Sequence, residues 1–174
     1  ETYTYFRGES RQNIISQMKK AMDKTLSELW ERYQCATLLK SKEEVLILAS
    51  IVEKETALEK ERPHIAAVFL NRLKKGMALQ TDPTVIYAFE IIEQKPFERT
   101  LTRDDLKVPS PYNTYLIQEL PPGPICHPGK ASLEAVLNPL ITDDLFFVAD
   151  GTGGHVFSKT YKEHAQNHNQ WRKI

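Results

Sequence analysis

Cysteine is scarce: this chain of 174 residues has two, Cys35 and Cys126, in unrelated contexts and without CxxC spacing. That rules out a disulfide framework or a structural zinc site as the organising principle. A single bridge is the one pairing that an oxidising compartment would allow, and the two are read as free thiols. Net charge is lacking as well. Lys plus Arg number 23 and Asp plus Glu number 23, so there is no broad positive field with which to hold nucleic acid or an anionic membrane surface. Long apolar runs are missing too. The longest, Val45 to Val52, is broken by Ser50 and falls far short of the roughly 20 residues that cross a bilayer. The chain opens at Glu1 with no initiating Met, basic n-region or small-residue cleavage site, which reads as a fragment of a longer protein. What is there, 41% apolar and 26% charged residues without internal repeat or linker, is the balance of one packed domain.

Periodicity makes that domain mainly helical. Ile14, Met18, Met22, Leu26, Leu29, Trp30 and Tyr33 form one apolar stripe on a surface helix over 10–34, a lead-in to a core spanning 41–174. Ser41 and Glu44 stand in capping-box spacing ahead of Val45, Leu46, Ile47, Leu48, Ala49, Ile51 and Val52, apolar on nearly every side, which predicts a buried central helix. Pro63 opens a third helix closed by Gly76, and Asp82-Pro83 reads as cap and first turn of a short fourth helix through Tyr87. From Phe89 to Pro128 seven prolines punctuate what must be mostly loop, and loops this long are usually functional. Ala131 to Leu137 reads as a short helix. Leu145 to Ala149 and His155 to Ser158 flank a glycine-rich turn as a β-hairpin, and Thr160 with Glu163 caps a last helix. The expected class is α+β, mainly helical with one small antiparallel hairpin sheet.

One feature resists propensity. Ile51-Val52-Glu53-Lys54-Glu55-Thr56 puts two carboxylates at the end of an otherwise apolar helix. In projection Glu55 lies about 20° from Leu48 and about 40° from Ile51, so its side chain follows the apolar surface. A carboxyl against apolar walls has its pKa raised and can serve as a general acid. The same residues also read as the solvated end of the helix. Gln80, Thr81 and Asp82, and later Tyr112, Asn113, Thr114 and Tyr115, supply amides, hydroxyls and rings of the kind that line a carbohydrate cleft. Equally, Asp82 serves as an N-cap and the two tyrosines as loop aromatics packed on the core. His164 and His168 have i,i+4 metal-ligand spacing but no third ligand, so no metal is expected. Gly151, Gly153 and Gly154 lack the Gly-Lys-Ser/Thr ending of a phosphate loop.

Taken together, Leu48-Ala49-Ser50-Ile51-Val52-Glu53-Lys54-Glu55-Thr56, Val68-Phe69-Leu70-Asn71-Arg72-Leu73, Leu79-Gln80-Thr81-Asp82-Pro83-Thr84-Val85-Ile86-Tyr87, Tyr112-Asn113-Thr114-Tyr115 and Leu120-Pro121-Pro122-Gly123-Pro124-Ile125 resemble the endolytic murein transglycosylase (MltG/YceG-like) family in content and order. The resemblance runs from about residue 41 to the hairpin. It implies a catalytic domain whose acid is the second Glu of Glu-Lys-Glu-Thr, here Glu55, with the Gln80 to Asp82 and Tyr112 to Tyr115 segments binding substrate. It implies cleavage of the β-1,4 bond from N-acetylmuramic acid to N-acetylglucosamine in nascent glycan strands, without cofactor, leaving a 1,6-anhydro end. It further implies a full-length protein with an amino-terminal membrane helix and a LysM-like module, anchored once in the inner (plasma) membrane with this domain outside the cytoplasm. Peptidoglycan strands are then the partner, with peptidoglycan synthases as candidates beside them. Two other classes remain open on the residues alone: a muramidase using Asp82 or Glu59 as second carboxylate, and a non-catalytic glycan-binding module.

Overall fold

The structure, a computed structural model, describes residues 2–33 and 37–171. Among the described residues six α-helices and one hairpin follow in chain order: α1 (Arg11–Tyr33), α2 (Lys42–Glu55), α3 (Arg62–Lys74), α4 (Asp82–Glu93), α5 (Lys130–Leu137), β1 (Phe146–Ala149), β2 (His155–Ser158) and α6 (Tyr161–Trp171). The class is α+β and mainly helical, with a two-stranded antiparallel sheet.

The core forms around α2, because its apolar residues point in every direction and need partners on every side. Val45, Leu48, Ala49, Ile51 and Val52 are completely buried, and α1, α3, α4 and α5 all pack on this helix. Ser41 starts it as expected: its Oγ accepts from Glu44 N at 3.2 Å, while the Glu44 carboxylate reaches back one residue further than the standard box, to Lys40 N at 2.7 Å. Helix α3 ends in a Schellman motif. Gly76 sits at φ 65°, its N–H meets Leu73 O at 3.1 Å, and Met77 N meets Arg72 O at 2.9 Å.

A second layer, the hairpin with α6, rests on α3. The polar residues of α3 hold the incoming strap: His64 Nε2 bonds Asp144 Oδ2 at 2.8 Å, Asn71 Nδ2 donates to Thr142 O and Asp144 O, and Arg72 Nε donates to Leu145 O at 2.7 Å. The sheet pairs Phe146 with Ser158 and Ala149 with His155. Its turn is tied down from outside by Glu61, which accepts from His155 N at 3.1 Å and pairs with His155 Nδ1 at 2.8 Å. A Cβ on Gly154 would sit 2.8 Å from that same Glu61 carboxylate and 3.0 Å from the Asp150 carboxylate, so a larger residue there would require these side chains to shift.

Two expectations need correction. Helix α4 does not stop at Tyr87 but runs to Glu93. Its last turns hid from the pattern because Ile91 and Ile92 are exposed, so apolar residues there mark no buried face. Asp82 is the first helical residue rather than the cap. Thr81 holds the cap position in extended backbone and makes no side-chain cap bond, since its hydroxyl is used elsewhere.

Candidate functional site

The last residue of α2 is Glu55, and the chain turns away immediately afterwards at extended Thr56. The Glu55 side chain therefore leaves the core at its edge, half-buried, and enters a groove of about 350 Å³ that it shares with Arg72, Gln80, Asp82, Tyr115, Phe146 and His164. Segments distant in sequence make this groove: the end of α2, Arg72 on α3, the loop into α4, the loop that carries Tyr115, and β1 with α6 of the second layer.

The loop into α4 is built to present its polar groups. Gln80 adopts φ 51°, a left-handed backbone that few residues other than glycine and asparagine take readily, and it is held there by its own N–H on Thr114 O at 3.0 Å. Thr81 N donates to Thr114 Oγ1 at 3.1 Å, and the Thr114 and Thr84 hydroxyls bond each other at 2.8 Å. With its backbone fixed from behind, buried Thr81 donates from Oγ1 to Glu55 Oε2 at 2.7 Å. Asp82, one residue on, accepts from the Tyr115 hydroxyl at 2.6 Å. Burial and the neighbouring Asp82 raise the Tyr115 pKa, which keeps that hydroxyl a donor.

Burial raises the pKa of Glu55, and the Asp82 charge adds to the rise. The Thr81 hydrogen bond and the charges of His155 and Arg72 oppose it without cancelling it. Its place at the carboxyl end of a helix acts in the same direction as burial, because the macrodipole there disfavours an anion. Glu53, two residues earlier, faces the other way. It accepts from Ser132 Oγ at 2.6 Å and Gly129 N at 3.1 Å, with Arg62 at 3.6 Å. Burial alone would raise its pKa, but these partners hold it below the usual carboxylate range.

Of the residues singled out in the sequence, Glu55, Gln80, Asp82 and Tyr115 line the groove. Thr81 and Thr114 lie buried just behind it. Asn113 is completely buried and spends its amide on Leu106 O and Val108 O, holding the loop in shape. Tyr112 packs edge-on against Tyr87, with its hydroxyl 3.0 Å from where a Gly123 Cβ would stand, and is not among the groove residues. Glu59 is exposed on the turn before α3 and is not among them either. Thr56, next in sequence to Glu55, turns its hydroxyl to Leu58 N, so the hydroxyl that meets the carboxyl comes from residue 81 instead.

Arg72, Phe146, Tyr161 and His164 were not foreseen in the groove. The available signal was an arginine three positions after Phe69 on the apolar face of α3. His164 stacks on Phe146 at 5.3 Å, and burial lowers its pKa. Its ring centroid is 6.5 Å from that of His168, and among the described residues no group of three His, Cys, Asp or Glu is placed to hold a metal ion. Cys126 is a free thiol, its pKa pushed up to about 11 by burial, with Sγ 3.3 Å from Ser50 O. Cys35 lies outside the described residues. No described helix is long and apolar enough to cross a membrane.

The helical domain thus opens a polar and aromatic groove with the Glu55 carboxyl, its pKa raised, at the rim, and the comparisons with known proteins say which family it comes from. The model of the YceG-like family matches residues 1–170, and the chain belongs to that family. It is 47% identical over 148 residues to the endolytic murein transglycosylase of Bacillus subtilis (strain 168), covering 83% of this chain and 39% of that protein. The endolytic murein transglycosylase of Streptococcus pneumoniae serotype 2 (strain D39 / NCTC 7466) is 35% identical over 167 residues, covering 95% of this chain and 30% of that one. A 2.6 Å crystal structure of a YceG-like protein from Listeria monocytogenes superposes with a TM-score of 0.83 at 43% identity, over 95% of this chain and 52% of that one. The chain thus spans well under half the length of these two relatives.

Proposed function

We propose that this domain is the catalytic part of an endolytic peptidoglycan lytic transglycosylase that cuts the β-1,4 bond between N-acetylmuramic acid and N-acetylglucosamine within glycan strands. The observation that carries the reading is Glu55: a carboxyl biased toward its protonated form by burial, held by Thr81, and opening into a groove with aromatic and amide walls. The names of the relatives support the same substrate.

In this mechanism Glu55 gives its proton to the glycosidic oxygen as the bond to the anomeric carbon breaks. The resulting carboxylate, stabilised by the Thr81 hydroxyl, takes the proton of the sugar's own C6 hydroxyl while that oxygen attacks the anomeric carbon. The products are a 1,6-anhydromuramyl end and a free 4-hydroxyl, and Glu55 finishes protonated as it began. One carboxyl suffices because the nucleophile is intramolecular, whereas hydrolysis normally needs a second to activate water. Gln80, Thr81, Asp82 and Tyr115 bind the sugars or set the acid, and Tyr112, Asn113 and Thr114 belong to the loop that supports them. Metal and cofactor have no part in the scheme.

Asp82 shares the groove with Glu55, and that placement favours a muramidase as the second reading. Its carboxylate is engaged by Tyr115, which costs it freedom to act as a base. For the full-length protein the family resemblance supports a single amino-terminal membrane anchor and a LysM-like module, with this domain outside the plasma membrane and peptidoglycan synthases as partners. The test of the activity is digestion of purified glycan strands followed by mass analysis of the ends. Ends one water lighter than hydrolysed ends are expected. Free reducing ends turn the assignment to a hydrolase, and uncut strands overturn it.

A further inference from the structure

Arg72 is 7% exposed and carries its charge into the groove wall. Burying a guanidinium is costly unless an anion or a full set of acceptors compensates it. Two of its nitrogens are accounted for by the fold. Nε donates to Leu145 O at 2.7 Å and Nη1 to Leu79 O at 2.7 Å, which staples α3 to the start of β1 and to the loop that leads into α4. Phe146 covers one face of the guanidinium, with its ring centre 5.3 Å from the central carbon.

Nη2 is different. It makes no hydrogen bond among the described residues, and it is not one of the buried polar atoms left without a partner, so it reaches open space on the side where Arg72 lines the groove. Among the described residues no carboxylate lies within ion-pair distance of the guanidinium. The carboxyl that faces it across the groove, Glu55, must be protonated to act and then offers no charge to balance it. Two N–H donors on a planar, permanently charged group are therefore left for something that enters the groove. With Nε and Nη1 engaged by the backbone, Nη2 offers single charge-assisted N–H bonds rather than a two-nitrogen fork, and a carbonyl or carboxylate oxygen is a stronger acceptor for such a bond than a sugar hydroxyl.

We propose that Arg72 is a substrate-binding residue that receives, through Nη2, a carbonyl or carboxylate oxygen carried by a substituent of the amino sugar beside the scissile bond. This deepens the glycan assignment above and rests on it. In a muramyl strand two substituents carry that chemistry: the N-acetyl group and the lactyl ether. The staple formed by Nε and Nη1 makes the donor rigid, so the contact would fix the sugar ring against Glu55 rather than merely add affinity.

The test uses the folded Glu55→Gln protein, which is expected to hold glycan without cutting it. Affinity is measured for peptide-free muramyl glycan strands and for chitin oligomers of equal length, with and without Arg72→Gln. A charge-assisted hydrogen bond predicts binding of the muramyl strands weaker by about tenfold to a hundredfold. Loss confined to the muramyl strands assigns the lactyl oxygen, and equal loss on both ligands assigns the N-acetyl oxygen. Unchanged affinity for both overturns the proposal. Because Arg72→Gln also removes the staple and so endangers folding, the same question is put to the intact residue by ¹⁵N-arginine NMR of the Glu55→Gln protein. A shift and slowed exchange of the Arg72 guanidinium signals at glycan saturation are expected, and signals that stay put while glycan is bound overturn the proposal. If no glycan binds at all, the parent assignment falls and takes this one with it.

Discussion

Two carboxylates two residues apart on one helix end in opposite surroundings. Glu53 faces the start of α5, where Ser132 and Gly129, together with Arg62 of α3, supply the donors an anion needs, and its pKa falls. Glu55 faces the groove with one hydroxyl donor and an acidic neighbour, and its pKa rises. A rotation of about 200° around the helix separates a structural anion from a proton donor. Burial opposes charge in both places, more strongly at Glu55, and only Glu53 has enough donors to outweigh it.

The largest break in this contrast comes from Glu55→Gln. It keeps the shape and removes the transferable proton, and since general acid–base assistance is worth on the order of 10²–10⁴ in rate, more where one group serves both steps, cleavage should be lost in a protein that still folds and binds strands. Near wild-type cleavage by folded Glu55→Gln would remove it from the mechanism. Glu53 should respond in stability instead. Glu53→Ala leaves Gly129 N and Ser132 Oγ without their acceptor and is expected to cost about 1–3 kcal/mol in denaturant unfolding, while the folded Glu53→Gln retains measurable cleavage.

The pH dependence separates the pair with a definite sign. Glu53, with its pKa lowered, contributes stability that is present above the usual carboxylate range and lost as pH falls through its folded value. Glu55, with its pKa raised, contributes stability that is present below that range and lost as pH rises through its folded value. Melting temperatures across pH should therefore show a shallower acid decline in Glu53→Gln and a shallower decline on the other side in Glu55→Gln. Parallel curves for both variants would undo the contrast.

A smaller effect is expected at Thr81. Its hydrogen bond lowers the Glu55 pKa, so Thr81→Val should move the alkaline limb of the rate profile to higher pH, with a several-fold change in rate. An unmoved limb would mean that the 2.7 Å contact does not set the acid. The smallest expected effect is none: EDTA should leave cleavage intact, and loss restored by zinc would return His164 and His168 to consideration as ligands.

Local signals were enough for the helices, because caps, glycine stops and apolar periodicity act over a few residues. Ser41 with Glu44, Gly76, and Thr160 with Glu163 all sit where the chain pattern puts them. The end of α4 was missed for the same reason in reverse, since exposed Ile91 and Ile92 carry no face to read. The helix projection put Glu55 along the apolar surface and said nothing about donors.

By itself, then, the sequence determined a mainly helical domain with one hairpin, a central buried helix and a pair of carboxylates at its end, and its ordered motifs pointed to the family. Only the tertiary structure decided which hydroxyl meets Glu55, and it chose Thr81, 26 residues away, over the adjacent Thr56. It also decided that Arg72, which along the chain is only one member of the Val68 to Leu73 motif, lies in the groove beside the acid. The physical reason is range. Helix pattern and capping are local, whereas the pKa of a buried carboxyl and the exposure of one guanidinium nitrogen depend on which distant segments fold against them and how many donors those segments bring.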